Sequence, residues 1–231
     1  MTDNYDDLYS KIAYRFKDES LLKTALTHSS YAGERKLSYE SNNERLEFIG
    51  DAYVDAVVGV RLFEILGKAH EGTLSRYRVD VVCEATLAGV ASEMGLGEYL
   101  LLGKGESYNG GRDNPSILSD AFEALMGAVF LDGGYEAVNS VILRMLGDKI
   151  NLASEGKLSS DHKTRLQEYL QEKDHSVKIE YKVIDQSGPD HKKYFTVAAV
   201  ANGVALGKGS GASKAKAEQA AAEDALSKGV D

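Results

Sequence analysis

The chain has 231 residues, a formal net charge of −9 and 43% hydrophobic side chains, enough for one mid-sized domain and a smaller one, each with its own core. No run approaches the ~20 apolar residues that cross a bilayer, the polar and acidic start from Met1 to Asp7 does not suit a signal peptide, and Cys83 alone allows neither an internal disulfide nor a cysteine-based zinc site. A cytoplasmic protein with no membrane partner is expected.

From Tyr9 to Leu152 apolar residues recur at helical spacing, so the first part is expected to be all-helical. Breaks are expected at residues 31–42, at 67–71 and in a loop over 103–115, which is rich in Gly and Asn and holds Pro115. The polar stretch 151–160 carries no apolar period and reads as a linker, with 1–152 as the first domain, 153–158 as the connection and 159–229 as the second domain. In the second domain a helix is expected over 164–172, with Leu166, Tyr169 and Leu170 on one side. Val177, Ile179, Tyr181 and Val183 then alternate as a half-buried strand does. Gly188-Pro189-Asp190 is a turn, and strands over 194–200 and 204–208 flank Asn202-Gly203, the favoured two-residue hairpin turn. An alanine-rich helix over 213–227 closes the chain. The expected fold is therefore an all-α domain followed by a small α+β domain in the order α-β-β-β-α.

Charge is divided unevenly between these parts. Residues 1–153 hold 15 basic and 24 acidic side chains, whereas residues 154–231 hold 12 of each. Phosphate contacts normally call for an excess of Lys and Arg, so a polyanion partner would need carboxylates that hold cations in the first domain and clustered lysines in the second.

The carboxylates of the first domain fall in two stretches. In Asn43-Glu44-Arg45-Leu46-Glu47-Phe48-Ile49-Gly50-Asp51, the helical spacing of Glu44, Glu47 and Asp51 places them on one stripe, with Ile49, Ala52, Tyr53, Ala56 and Val60 on the other side. A solvated acidic face would explain the stripe, but like charges at this spacing repel, and Phe48 projects at its edge. In Ser119-Asp120-Ala121-Phe122-Glu123-Ala124, Glu123 is the only charge from Ala121 to Leu131, with Asp120 one turn before it. Buried carboxylates cost several kcal/mol unless paired or metal-bound; Arg45, Arg61, Arg76 and Arg78 are the candidate partners in the first case. In the second case, oxygen ligands favour Mg²⁺ or Mn²⁺, and phosphodiester hydrolysis is the reaction such a site suits.

These two stretches resemble the paired signatures of ribonuclease III. Thr27-His28-Ser29-Ser30-Tyr31, Glu71-Gly72, Leu102-Gly103-Lys104-Gly105-Glu106 and Leu131-Asp132-Gly133-Gly134 fall in the family's order around them. The resemblance implies a homodimeric endonuclease that hydrolyses double-stranded RNA with Mg²⁺, for which Mn²⁺ substitutes, and with no small-molecule cofactor. It leaves 5′-phosphate and 3′-hydroxyl ends with short 3′ overhangs and processes ribosomal precursors and other structured RNAs. By motif it makes Glu47, Asp51, Asp120 and Glu123 metal ligands, with Asp51 and Glu123 catalytic, gives Glu44 and Glu71 supporting roles, and makes Phe48 a contact into a partner subunit. Asp55 is not required by the signature and is expected to be solvated; His28 is expected to be structural.

Residues 159–229 resemble a double-stranded RNA-binding domain, whose three elements touch the wide minor groove and phosphates of an A-form duplex. Thr164, Gln167 and Glu168 lie on the first helix, His191 in the loop between the first strands, and Lys214 at the N-terminus of the last helix, where N–H groups and the helix dipole favour phosphate. His162 stands where the family usually has proline, and Ala215 where a second basic residue is common. Two other readings remain: a non-catalytic binder of double-stranded RNA, against which the intact carboxylate set argues, and a helical phosphohydrolase acting on small nucleotides, against which the second domain argues.

Overall fold

The computed structural model describes residues 5–158, 162–174, 176–188 and 193–228, the side chains of residues 172 and 173 excepted. It divides into two compact units, Met1–Leu158 and Ser159–Asp231. Among the described residues no helix is long and apolar enough to cross a membrane.

The first unit is helical: α1 (Asp6–Ile12), α2 (Glu19–Ala25), α3 (Ser29–Glu34), α4 (Glu44–Leu66), α5 (Glu71–Val82), α6 (Glu84–Glu93), α7 (Lys104–Tyr108) and α8 (Pro115–Ser154). The start of α8 follows from its local chemistry. Asn114 caps it by accepting from the Ser116 N–H, and Pro115 occupies the first turn, where a missing N–H costs nothing. A kink at Gly134 bends α8. Just before it, the Asp132 carboxylate accepts from the Tyr14 hydroxyl at 2.5 Å and from the Lys17 and Asp18 N–H groups at 2.9 Å, tying the middle of α8 to the α1–α2 turn. This contact accounts for the Leu131-Asp132-Gly133-Gly134 motif. The expected loop over 103–115 holds α7 and a 3-10 turn, Gly111–Asp113, and an unexpected break at Cys83 separates α5 from α6. Residues 151–154 continue α8, with Ala153 fully buried, and Leu158 packs against the first core.

The buried face of α4 is not the one its pattern suggested. Leu46, Gly50, Val54, Val57, Val58 and Leu62 are buried, whereas Ala52, Ala56 and Val60 are exposed and Ile49 is half-buried. Tyr53 reaches the core edge by stacking on Phe130, with ring centroids 4.0 Å apart. After Asp51 the helix is apolar on most sides, so periodicity alone cannot choose its inner face. The choice is made by α8, which crosses α4 backbone to backbone. A Cβ added at Gly50 would lie 1.7 Å from the Glu123 carbonyl oxygen, and one added at Gly127 would lie 2.1 Å from that of Leu46.

The second unit runs α9 (His162–Lys173), β1 (Ile179–Ser187), β2 (Tyr194–Ala201), β3 (Val204–Gly211) and α10 (Lys214–Ser227), the expected α-β-β-β-α order. The strands form an antiparallel sheet in the order β1-β2-β3, with Val183 opposite Val197 and an irregularity between Val183 and Asp185. Asn202 and Gly203 both have positive φ, 51° and 79°, as the tight turn between β2 and β3 requires. Leu166, Leu170, Val197, Ala199 and four alanines of α10 form the core. The helix lies close on β3 because Gly207 and Gly209 offer no side chain to hold it off.

Filling the α4–α8 crossing should be costly. Gly127→Ala is expected to lower the melting temperature by about 5 °C or more, since overpacking costs ~1–3 kcal/mol and each kcal/mol is ~2–4 °C in a unit of this size. Gly147→Ala, where an added Cβ meets nothing within 4 Å, should leave it unchanged or raise it. Equal melting of the two variants in a thermal scan would refute the close crossing.

Candidate metal centre and RNA-binding surface

The crossing brings three carboxylates together. Glu47 from α4, one turn before Gly50, meets Asp120 and Glu123 from α8, and an oxygen of each lies within 4.8 Å of the others. All three are half-buried. Burial, and then the charges of Asp51, Glu47, Asp120 and Asp55, push Glu123 up to about 8 from its ordinary 4.5. Burial raises Glu47 too, with Asp120, Glu44 and Asp51 adding to it. Asp120 is raised by burial and by Glu84, against an opposing effect of His28. Asp51 is exposed and falls outside the group of three, yet its charge is the largest acting on Glu123.

The arginines do not relieve this repulsion. Arg45 pairs with Glu40 at 3.8 Å, Arg61 with Glu64 at 3.1 Å and Arg78 with Asp55 at 3.7 Å, while Arg76 lies over the Tyr77 ring. Among the described residues no ion pair reaches Glu47, Asp120 or Glu123. An all-oxygen donor set, partly desolvated and without a cation of its own, fits a hard divalent ion.

Neighbouring elements fix where these side chains stand. The Asn43 N–H donates to the Thr27 carbonyl at 2.9 Å, setting the entry to α4, and Asn42 Oδ1 accepts from the Glu44 N–H at 3.2 Å. His28 N–H donates to Leu101, its ring caps α3 through the Ser30 N–H, and Ser30 Oγ accepts from the Gly103 N–H at 2.9 Å. Glu34 accepts from the Lys104 N–H at 2.7 Å. Residues 27–34 and 101–104 are thus one bonded frame, in which His28 has a structural part.

The remaining acidic and aromatic candidates sit further out. Glu44 is exposed beside Glu47. Glu71 is exposed at the start of α5, accepts from the Ser75 hydroxyl at 2.7 Å, and is not one of the three carboxylates that meet within 4.8 Å. Phe48 is 79% exposed. Asp55, expected to be solvated, keeps 40% of its side chain exposed and stands 3.7 Å from Arg78. Gly50, Gly127 and Glu84 escaped the sequence reading. Gly50 and Gly127 stand one turn from Glu47 and Glu123 along apolar helices, a pattern that hints at a crossing but does not name the partner helix.

In the second unit Thr164 and Glu168 are exposed on α9. Gln167 is engaged within the domain, its amide nitrogen donating to the Val177 carbonyl at 2.8 Å. Lys214 is exposed in the first turn of α10, which Ser213 caps by accepting from the Lys216 N–H, and Ala215 beside it is exposed too. His162 stands 3.8 Å from Glu223, and Lys163 pairs with Glu218 at 2.6 Å, so both tie α9 to α10. His191 lies outside the described residues.

Comparison with known proteins agrees with this division. Residues 18–150 match the family model described as Ribonuclease-III-like, and residues 162–228 match the double-stranded RNA binding motif. The chain is 48% identical over 221 residues to the protein named Ribonuclease 3 from Caldanaerobacter subterraneus subsp. tengcongensis, covering 96% of each. It is 45% identical to Ribonuclease 3 of Pelotomaculum thermopropionicum, covering 96% of this chain and 91% of that one. This chain belongs to the ribonuclease III family. A solved ribonuclease III nuclease domain from Campylobacter jejuni, 42% identical, superposes with a TM-score of 0.59 over 63% of this chain and 98% of its own; its published description concerns a region involved in dimer formation.

The raised proton affinity of Glu123 sets a pH dependence for this ribonuclease III. Because its folded value lies above its unfolded one, its contribution to stability is fully present below about pH 4.5 and is lost as pH rises through about 8. In chelator, Glu123→Gln should therefore melt a few degrees above the parent at about pH 9 and level with it at acidic pH. Added Mg²⁺ should raise the parent's melting temperature more at about pH 9 than at about pH 6, and should do little for Glu123→Gln. Identical Mg²⁺ responses at both pH values would contradict the assignment.

Proposed function

We propose that this chain is a metal-dependent endonuclease of double-stranded RNA, in which residues 1–152 cut the backbone, residues 159–229 hold the duplex, and residues 153–158, packed on the first core through Ala153 and Leu158, lead from one to the other. The observation that carries this reading is the convergence of Glu47, Asp120 and Glu123 within 4.8 Å with no Lys or Arg ion pair to them among the described residues, in a chain that also matches a duplex-RNA-binding motif. We take Mg²⁺ as the ion, with Mn²⁺ as a substitute, and the cytoplasm as its setting. Glu47, Asp120 and Glu123 hold the ion, and Asp51 completes the set from the rim. When bound, the ion supplies the charge that helps water attack and stabilises the leaving oxygen of a phosphodiester. Glu44 stands at the outer edge of the stripe, where it acts on Glu47 and meets the substrate side.

The products of such hydrolysis are 5′-phosphate and 3′-hydroxyl ends with short 3′ overhangs, and structured precursors such as ribosomal RNA are the substrates we infer. The working form is a homodimer. Supporting this, Phe48, Val60 and Phe63 leave an apolar strip of α4 in solvent, 53–79% exposed, and the Campylobacter jejuni nuclease domain is described with a dimer-forming region. In that assembly Phe48 enters the partner and Glu71 supports substrate handling or the metal pocket across the dimer. On the duplex, Thr164, Gln167 and Glu168 approach a minor groove and Lys214 a phosphate, with the Gln167 amide also donating to the Val177 carbonyl within the domain.

Glu123→Ala is expected to reduce cleavage of a long RNA duplex at saturating Mg²⁺ by at least ~10³-fold while gel-shift affinity for the duplex stays within about two-fold, because the ion site and the duplex-holding domain are separate. Cleavage within a few-fold of the parent would overturn the ligand assignment. Cleavage of a nucleoside triphosphate instead of the duplex would favour a small-nucleotide phosphohydrolase. At the exposed Ala215, Ala215→Lys should tighten duplex binding and steepen the slope of log affinity against log salt by about 0.9 without changing sequence preference. An unchanged slope in a folded variant would mean that residue 215 does not face RNA.

A further inference from the structure

Asp55 extends the acidic stripe of α4 one turn beyond Asp51 and adds its charge to those acting on Glu123. Four acidic residues of α4, Glu44, Glu47, Asp51 and Asp55, therefore share one side of the helix, since spacings of 3, 4, 7 and 11 all return to nearly the same angle. Glu47 and Asp51 have proposed metal roles, and Glu44 has a supporting one. Asp55 differs in being paired: Arg78 Nε stands 3.7 Å from its Oδ1, with both side chains 40% exposed.

The pairing is built from the helix opposite. Arg78 belongs to α5, and its stem crosses α4 at Gly59, where an added Cβ would lie 3.7 Å from Arg78 Cδ. A Cβ at that distance would make only ordinary van der Waals contact, so Gly59, one turn past Asp55, marks where the stem passes along α4. Arg78 Nε is buried with no hydrogen-bond partner, and 3.7 Å is too long for a hydrogen bond. What holds the two groups is charge attraction, strong enough to bias where a short carboxylate points and weak enough to break.

We propose that Arg78 is a positioning residue that restrains Asp55, keeping a fifth carboxylate out of the metal site formed by Glu47, Asp51, Asp120 and Glu123. The inference rests on the metal-centre reading above. A hard ion of Mg²⁺ size has few places, keeps several for water and binds through one or two carboxylates plus substrate phosphate. A freed Asp55 carboxylate would draw the cation harder and at the same time occupy or repel the place that phosphate needs. Restraint by Arg78 sets the site to bind the ion loosely enough to leave room for RNA.

The test is a double-mutant cycle on the full chain, read by Mn²⁺ titration without RNA, with circular dichroism to confirm folding. Arg78→Gln should tighten Mn²⁺ binding by about five- to ten-fold, as an added charge beside a partly buried divalent ion requires, and should lower kcat on duplex RNA at saturating metal. Asp55→Asn alone should move Mn²⁺ affinity by less than about two-fold. In the Arg78→Gln background, the same Asp55→Asn change should return affinity close to that of the parent, and Arg78→Lys should keep it there. A folded Arg78→Gln with parental Mn²⁺ affinity overturns the proposal, as does a double variant that retains the tightening. A large loss of Mn²⁺ affinity in Asp55→Asn alone also overturns it, whether or not Arg78→Gln folds, because Asp55 would then already be a ligand. If the parent itself binds no Mn²⁺, the failure belongs to the metal-centre reading rather than to the pair.

Discussion

At Gly50 and Gly127 the backbones of α4 and α8 come so close that neither position has room for a Cβ, with the carbonyl oxygens of Glu123 and Leu46 occupying that space. This approach orders the first unit around one line. Glu47 lies one turn before Gly50 and Asp51 just after it, while Glu123 lies one turn before Gly127 and Asp120 one turn earlier, so the crossing point gathers carboxylates from both helices. A wider crossing, with side chains between the helices, would separate Glu47 from Asp120 and Glu123 by several ångströms and dissolve the cluster.

The electrostatic cost of that gathering explains much of the surrounding design. Glu123 is half-buried beside two carboxylates and within reach of two more, and without a cation it holds a proton near neutral pH. Of the four candidate arginines, Arg45, Arg61 and Arg78 pair with Glu40, Glu64 and Asp55, and Arg76 lies over Tyr77. The first unit therefore holds a local concentration of negative charge that a divalent ion would relieve, and such an ion would let an acidic domain face a polyanion. Rigidity comes from the frame behind the site: Thr27 receives the entry to α4, Ser30 and Glu34 receive the 103–104 backbone, and Asp132 pins α8 to the α1–α2 turn.

Local rules made parts of this legible. The stripe of Glu44, Glu47 and Asp51 follows from helical spacing, and Glu123 stands out as a lone charge in an apolar run. Alternation at Ile179 and Tyr181 and the Asn202-Gly203 pair mark the sheet of the second unit. What stayed hidden depends on which helix meets which. Residues 52–66 of α4 are apolar on most sides, so Ala52, Ala56 and Val60 suggested an inner face that the crossing at Gly50 turns outward. Arg78, which stands 3.7 Å from the Asp55 carboxylate, is 23 positions away on another helix, beyond any local pattern. Nothing local announces the Val177 carbonyl that receives the Gln167 amide. Each of these is a tertiary contact between polar or small residues, where periodicity carries no signal.

The central claim is that the α4–α8 crossing exists to hold a divalent ion between Glu47, Asp120 and Glu123. Anomalous diffraction from crystals of the protein soaked in Mn²⁺ tests it directly, because the ion's position is read without reference to activity. The account predicts an anomalous peak within about 2.5 Å of a carboxylate oxygen from each of those three residues, the upper end of protein–cation oxygen distances. A saturating soak that leaves that position empty while Mn²⁺ settles elsewhere on the chain would contradict it.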